Sequence, residues 1–127
     1  DYFATANDRV AVIPMIETAA ALEAIDDIVA VEGVDALYVG VYDLSIALGL
    51  PPGDNDGNAV FDDALQRVLT ACQNAGVVPG CHSNPDAAAL RLQQGFRMVT
   101  VSADLIALQG GLRTHLAAAR AELDNND

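Results

Sequence analysis

Ala36-Leu37-Tyr38-Val39-Gly40-Val41 and the segment after it, Asp43-Leu44-Ser45-Ile46-Ala47-Leu48-Gly49, form the unit on which the fold turns. The first stretch is a short, continuous apolar run with no polar alternation. That pattern predicts a strand covered on both faces, the habit of parallel sheets. An acid at the head of the next apolar segment marks a helix start. The unit is therefore strand, tight turn, helix.

Three more units of the same kind flank it. Val10-Ala11-Val12-Ile13-Pro14-Met15-Ile16 predicts the first strand, although Pro14 removes a ladder donor and is awkward in a central position. A helix over Thr18–Val31 follows, with Ala20, Leu22, Ile25, Ile28 and Val29 at helical spacing and Gly33 as its stop. Pro51–Asn58 reads as an exposed loop. A helix over Val60–Ala75 carries Val60, Ala64, Leu65, Val68, Leu69 and Cys72 on one stripe and ends at Gly76. Val77–Cys81 is the third strand, and a helix over Pro85–Gln94 is capped by Asn84. Phe96–Val101 is the fourth strand. A helix over Asp104–Ala121 is expected to break at Gly110-Gly111, and the tail Asp124-Asn125-Asn126-Asp127 to fray.

Four consecutive βα units are a parallel sheet covered by helices. They fit either half of a (βα)₈ barrel or a small open α/β sheet, and periodicity does not choose between them. At 127 residues there is room for one domain at most, here taken as a single, partial domain over 1–127. Half a barrel leaves two strand edges open and an inner face uncovered, so association or a missing half is expected. The chain does not begin with Met, which suggests a piece of a longer one.

Hydrophobic residues make up 52% of the chain, too many for disorder. No apolar run approaches the roughly 20 residues of a membrane span, and no signal-peptide core opens the chain. Six basic against 18 acidic residues give a net charge of -12, which argues against nucleic acid and against anionic membrane surfaces. All six basic residues are Arg. Without Lys the chain can form no Schiff base and no Walker-type phosphate contact. Cys72 and Cys81 lack a metal-ligand spacing and read as two unpaired thiols of a cytoplasmic protein.

Parallel α/β folds gather chemistry at the C-terminal ends of their strands. Those ends carry Glu17 on strand one, Asp43 on strand two, His82 on strand three and Asp104 on strand four. Two carboxylates on neighbouring strands repel unless a cation joins them or a proton is shared. Two oxygen ligands, waters and an oxygen-rich substrate suit Mg²⁺ or Mn²⁺. The plainer alternative is that Glu17 and Asp43 cap the helices that follow them. Gly40 permits close approach of a ligand, and the backbone amides after it can receive an anion. His82 is read as a strand-end residue bonded locally rather than as a base. Asp104 is read as a helix cap, His115 as a surface residue, and Asp26-Asp27 and Asp62-Asp63 as exposed helix faces. Arg97 is expected to pair with an acid.

Pro14-Met15-Ile16-Glu17-Thr18, Gly33–Ser45 with Leu48-Gly49, and Gly95–Leu105 together resemble the HpcH/HpaI aldolase family, over nearly the whole chain. The 26-residue separation of Glu17 and Asp43 fits that family too. The resemblance implies the C-terminal half of a (βα)₈ barrel. It implies a class II aldolase that cleaves 4-hydroxy-2-oxo acids to pyruvate and an aldehyde through a metal-stabilised pyruvate enolate. Glu17 and Asp43 would ligate Mg²⁺, Mn²⁺ or Co²⁺, and Gly40 with the amides of Tyr42 and Asp43 would hold the pyruvate carboxylate. The base His and the pyruvate-binding Arg would lie outside this chain. Full-length relatives are commonly homo-oligomers. The chain departs from the family's Gly-Pro at Gly40-Val41. A CoA-ester lyase of the citrate-lyase β or malyl-CoA type, and a truncated half-barrel that binds metal or a partner without turnover, are the alternatives.

Overall fold

The computed structural model describes residues 1–124; of the polar tail expected to fray, Asn125, Asn126 and Asp127 lie outside the described residues. A short exposed helix, α1 (Tyr2–Thr5), opens the chain, with the Asp1 carboxylate accepting from Phe3 N at 3.3 Å. β1 (Met15–Ile16) is shorter than its apolar run. Pro14 has no amide to give, yet its carbonyl accepts from Tyr38 N at 2.9 Å. The Val12 carbonyl likewise accepts from Asp35 N at 3.0 Å, so the run still lies along its neighbour.

The single helix expected over Thr18–Val31 is two, α2 (Ala19–Glu23) and α3 (Ile25–Val29). The break is at Ala24, whose ψ of 15° leaves the helical region. The kink lets Leu22, Ile25 and Val29 all reach the core. β2 (Ala36–Val39) stops two residues early, and α4 (Val41–Ala47) starts at once with Gly40 as N-cap. Leu44 N donates to the Gly40 carbonyl at 2.9 Å, which pulls Val41 into the helix rather than the strand.

α5 (Ala59–Ala75) ends at Gly76, whose φ of 73° is the left-handed stop that glycine takes without strain. Its buried stripe begins at Phe61; Val60, expected inside, is exposed. β3 (Val78–Cys81) follows. Asn84 caps as expected, its Oδ1 accepting from Asp86 and Ala87, but the first turn is irregular and α6 is Ala88–Gln94. β4 is Met98–Val99. α7 (Asp104–Asp124) runs unbroken through Gly110 and Gly111. Neither glycine meets anything within 4 Å, so each costs only its own propensity, about 1 kcal/mol against Ala. Leu105, Ile106, Leu108, Leu112 and Leu116 of α7 are all exposed.

The four strands form one parallel sheet in the order β1-β2-β3-β4. Ile16, Leu37, Val39 and Cys81 point outward to one core shared with Leu22, Ile25, Phe61, Leu65, Val68 and Phe96. The opposite face carries Met15, Tyr38, Gly80 and Met98 in one lateral row, and half of Met15 is open to solvent. Only the outer side of the sheet is packed.

Candidate active site

Side chains alternate along a strand, so the residues two beyond that inner row share its face. They are Glu17, Gly40, His82 and Thr100. The parallel ladder reaches this far, since Gly40 N donates to Ile16 O at 3.1 Å, His82 N to Val39 O at 2.9 Å and Thr100 N to Cys81 O at 3.3 Å. Three of the four strand-end positions thus carry a polar group on one rim, and the fourth is glycine.

Glu17 leans over Gly40. A methyl added there would lie 3.2 Å from both Cβ and Oε2 of Glu17 and 3.3 Å from Met15 Sδ. Glycine lets the carboxylate lie this close to the β2–α4 junction, and a larger residue would push Glu17 or Met15 back by a few tenths of an ångström. Capping does not account for Glu17, because Thr18 is the N-cap of α2 and its Oγ1 accepts from Ala21 N at 3.1 Å. Asp43 stands in the first turn of α4, exposed, where a negative charge faces the positive end of the helix. Asp43 is helical as expected, although the helix starts two residues before it, at Val41, and takes in Tyr42 as well. Among the described residues both ion pairs belong to Arg91, so neither Glu17 nor Asp43 has a cation beside it. No group of three or more His, Cys, Asp or Glu able to hold a metal is found among the described residues. Any ion held by this pair would complete its shell with water or substrate oxygens.

His82 is bonded locally, as expected. Its Nδ1 lies 3.3 Å from the Tyr38 hydroxyl and 3.5 Å from Thr100 Oγ1. Its ring stands edge-on to Tyr38 and to Tyr42, with centroids 6.4 and 6.0 Å apart. Tyr42 and His82 form the wall between two hollows. One lies over Gly40 and Asp43 and the other reaches Ser83, Ser102 and Ile106.

Asp104 Oδ1 accepts from Leu105 N at 2.7 Å and His115 is exposed, in line with their plainer readings. Asp63 is exposed, but Asp62 is half-buried and takes the Gly57 amide at 3.1 Å. Arg97 has no acid partner among the described residues, contrary to expectation. It precedes β4, at the end of the sheet away from the acidic loop. Cys72 and Cys81 are free and buried. Burial pushes their thiols up to about 11 and about 12.

The sequence reading missed Arg91. It is fully buried, with bonds of 2.6 Å to Asp54 and 2.6 and 2.9 Å to Asp56, and another to Gln94 at 2.9 Å. Its guanidinium sits 5.6 Å over the Phe61 ring. Burial opposes the charge, and the bonds to Asp56 and Asp54 outweigh it, so Arg91 is held charged above its usual range. The loop read as exposed is therefore clamped to α6. The signal was present: Arg91 lies three residues after buried Ala88, on the inward stripe of α6, and Asp54-Asn55-Asp56 offers the opposite charge.

A parallel βα sheet with acids gathered at the C-terminal rim defines half of a barrel of the TIM type, with its chemistry where such barrels place it. The chain belongs to the HpcH/HpaI aldolase/citrate lyase family, whose model matches residues 2–109. It is 35% identical to a hydroxypyruvate/pyruvate aldolase of Roseovarius nubinhibens over 126 residues, 96% of this chain and 47% of that protein. A crystal structure of an HpcH/HpaI aldolase/citrate lyase family protein from Burkholderia cenocepacia is 40% identical, with a TM-score of 0.82 over 94% of this chain and 46% of that one. A citrate lyase from Burkholderia xenovorans is more distant, at 27% identity and a TM-score of 0.61 over 72% of this chain and 34% of that one. The chain spans about half the length of the relatives it matches.

Proposed function

We propose that this single, partial domain supplies the metal and oxo-acid side of an aldolase that cleaves 4-hydroxy-2-oxo acids to pyruvate and an aldehyde. The observation that carries the reading is the placement of Glu17. It is on the inner face, without a cationic partner and without a capping role, and it lies across Gly40 against the helix that bears Asp43.

The donor set fits a hard divalent cation. Glu17 and Asp43 would hold Mg²⁺, Mn²⁺ or Co²⁺ through carboxylate oxygens, and two protein ligands leave positions for a chelating oxo acid. Such an ion supplies Lewis acidity toward the oxo-acid oxygens as negative charge develops there. The chain's own part is to bind and orient. The Val41, Tyr42 and Asp43 amides precede the first helical bond of α4 and face outward from Gly40. Those of Tyr42 and Asp43, with Gly40, would hold the carboxylate end of pyruvate. The base His and the substrate-binding Arg would come from the other half of the barrel, in cis or from a second copy in a homo-oligomer. Residence in the cytoplasm belongs to the same proposal and is supported by the two free thiols.

A CoA-ester lyase finds less support. Its phosphates need cations, yet Arg91 is consumed by Asp54 and Asp56, and Arg67 donates to the Glu23 carbonyl at 3.0 Å. Arg9 and Arg97 precede their strands, away from the rim, and Arg113 and Arg120 lie well along α7 from its rim end at Asp104.

Calorimetric titration with Mn²⁺, with and without pyruvate, tests the reading. Binding is expected to tighten with pyruvate and to vanish in Glu17→Ala with the circular dichroism unchanged. Binding of equal strength in a folded Glu17→Ala variant would remove Glu17 from the site.

A further inference from the structure

The inner rim row is Glu17, Gly40, His82 and Thr100. An oxo acid held by Glu17, Asp43 and Gly40 has His82 as its next neighbour across the sheet, one strand beyond Gly40. On that side the hollow over Gly40 gives way, past Tyr42 and His82, to the second hollow toward Ser83 and Ser102. The part of the substrate that leaves as aldehyde must extend from the oxo-acid half, and His82 borders that path.

The hydrogen bonds around His82 favour one face of the imidazole. Thr100 Oγ1 accepts from Ser83 N at 2.8 Å and gives its proton to the Ser83 carbonyl at 3.3 Å. The Tyr38 hydroxyl gives its proton to Thr100 at 3.1 Å, its shorter bond. What remains between Tyr38 and His82 is a 3.3 Å contact of Nδ1 with the tyrosine oxygen, and with the hydroxyl proton directed to Thr100 it is Nδ1–H that fits as donor. A neutral imidazole protonated on Nδ1 carries an open lone pair on Nε2. Nδ1 is tied to the Tyr38 hydroxyl, and the Tyr38 and Tyr42 rings stand nearly perpendicular to the imidazole.

We propose that His82 is the specificity-determining residue for the aldehyde half of the substrate, and that Nε2 accepts a hydrogen bond from a hydroxyl next to the aldehyde carbon. The inference rests on the aldolase reading. It makes hydroxyaldehydes the favoured partners over alkyl aldehydes of the same length. Glycolaldehyde and acetaldehyde differ by that one hydroxyl and are the probes.

The test uses the assembled barrel, whichever chain supplies its other half. Aldol addition of pyruvate to each probe is followed together with metal-dependent decarboxylation of oxaloacetate, which needs the oxo-acid half of the site and no aldehyde. In His82→Leu the kcat/KM preference for glycolaldehyde over acetaldehyde is expected to fall by about tenfold, the usual scale for one exposed substrate hydrogen bond. Decarboxylation is expected to stay within about threefold of wild type, on the same scale. His82→Gln keeps a hydrogen-bonding end and should retain part of the preference. In wild type, glycolaldehyde should slow carbethoxylation of His82 more than acetaldehyde does, with exposed His115 as internal reference. An unchanged preference in His82→Leu, or an equal fall in both reactions, overturns the assignment. Loss of decarboxylation in wild type itself overturns the aldolase reading and the inference with it.

Discussion

Removing the Arg91 guanidinium should cost this protein about half of its stability. Arg91→Leu stays apolar inside the fold but no longer reaches over the Phe61 ring, so a lost stacking contact adds to a loss that is mainly electrostatic. Asp54 and Asp56 lose three charge-assisted bonds of 2.6, 2.6 and 2.9 Å. Stripping one partner from a buried ion pair costs about 3–5 kcal/mol. The two carboxylates keep 20% and 31% of their surface open, so water relieves part of the penalty and the lower end applies, about 3 kcal/mol. A chain of this size has about 6 kcal/mol at the low end of the usual range. Urea unfolding followed by circular dichroism should show the midpoint falling by roughly half with the slope preserved, and Tm falling by roughly 10 °C. The penalty comes from stranded charge. Adding Asp54→Asn and Asp56→Asn to Arg91→Leu should therefore return about 1–2 kcal/mol. A loss below about 1 kcal/mol in Arg91→Leu, or a triple variant no more stable than the single one, would refute that account.

Two further outcomes follow from the packing. Gly80→Ala places a methyl 2.5 Å from Met98 Cε and 2.7 Å from the Leu37 carbonyl. Met98 can swing aside but the backbone of β2 cannot, so a loss of about 1–3 kcal/mol is expected in thermal melts and Met98→Ala should not restore it fully. The thiols give the alkaline limit. Burial raises Cys72 and Cys81 from 9.0 to about 11 and about 12, so the folded state holds protons that the unfolded state releases. The stability they contribute is whole below pH 9 and declines as pH rises toward 12. Denaturation midpoints should fall across that window, Cys→Ala variants should flatten the fall, and native thiols should resist a disulfide reagent at pH 8 until the chain unfolds.

Much of the layer order was legible because local signals agreed. The run Ala36–Val39 could only be a covered strand, and Gly76 and Gly95 stop their helices where left-handed backbone is required. Glu17 and Asp43 were legible as rim residues because each directly follows a strand. What escaped depended on partners distant in sequence. Ala24 carries no helix-breaking signal, and the split between α2 and α3 answers to packing on α5. The early start of α4 follows from a single backbone bond, Leu44 to Gly40. Gly110-Gly111 looked like a break, but an exposed helix with nothing packed against it has no neighbour to exploit the weakness. The clamp at Arg91 spans 35 and 37 residues to its two acids, so the local signs of a buried-stripe Arg and an acidic loop were both present but nothing local joined them.

The strand order β1-β2-β3-β4 also has a kinetic meaning. Each strand pairs only with the one before and after it in the chain, so no pairing requires a long segment to be threaded past another. The entropy of loop closure is met in instalments of one helix each rather than in a single large step. The centre of this succession is the β2–β3 pair, four residues long on each strand against two at either edge. Growth outward from that pair lays down the rim in the order Gly40 and His82 first, then Glu17 and Thr100. Within these four strands, accretion of this kind brings the carboxylate of Glu17 into place only after the glycine it leans over.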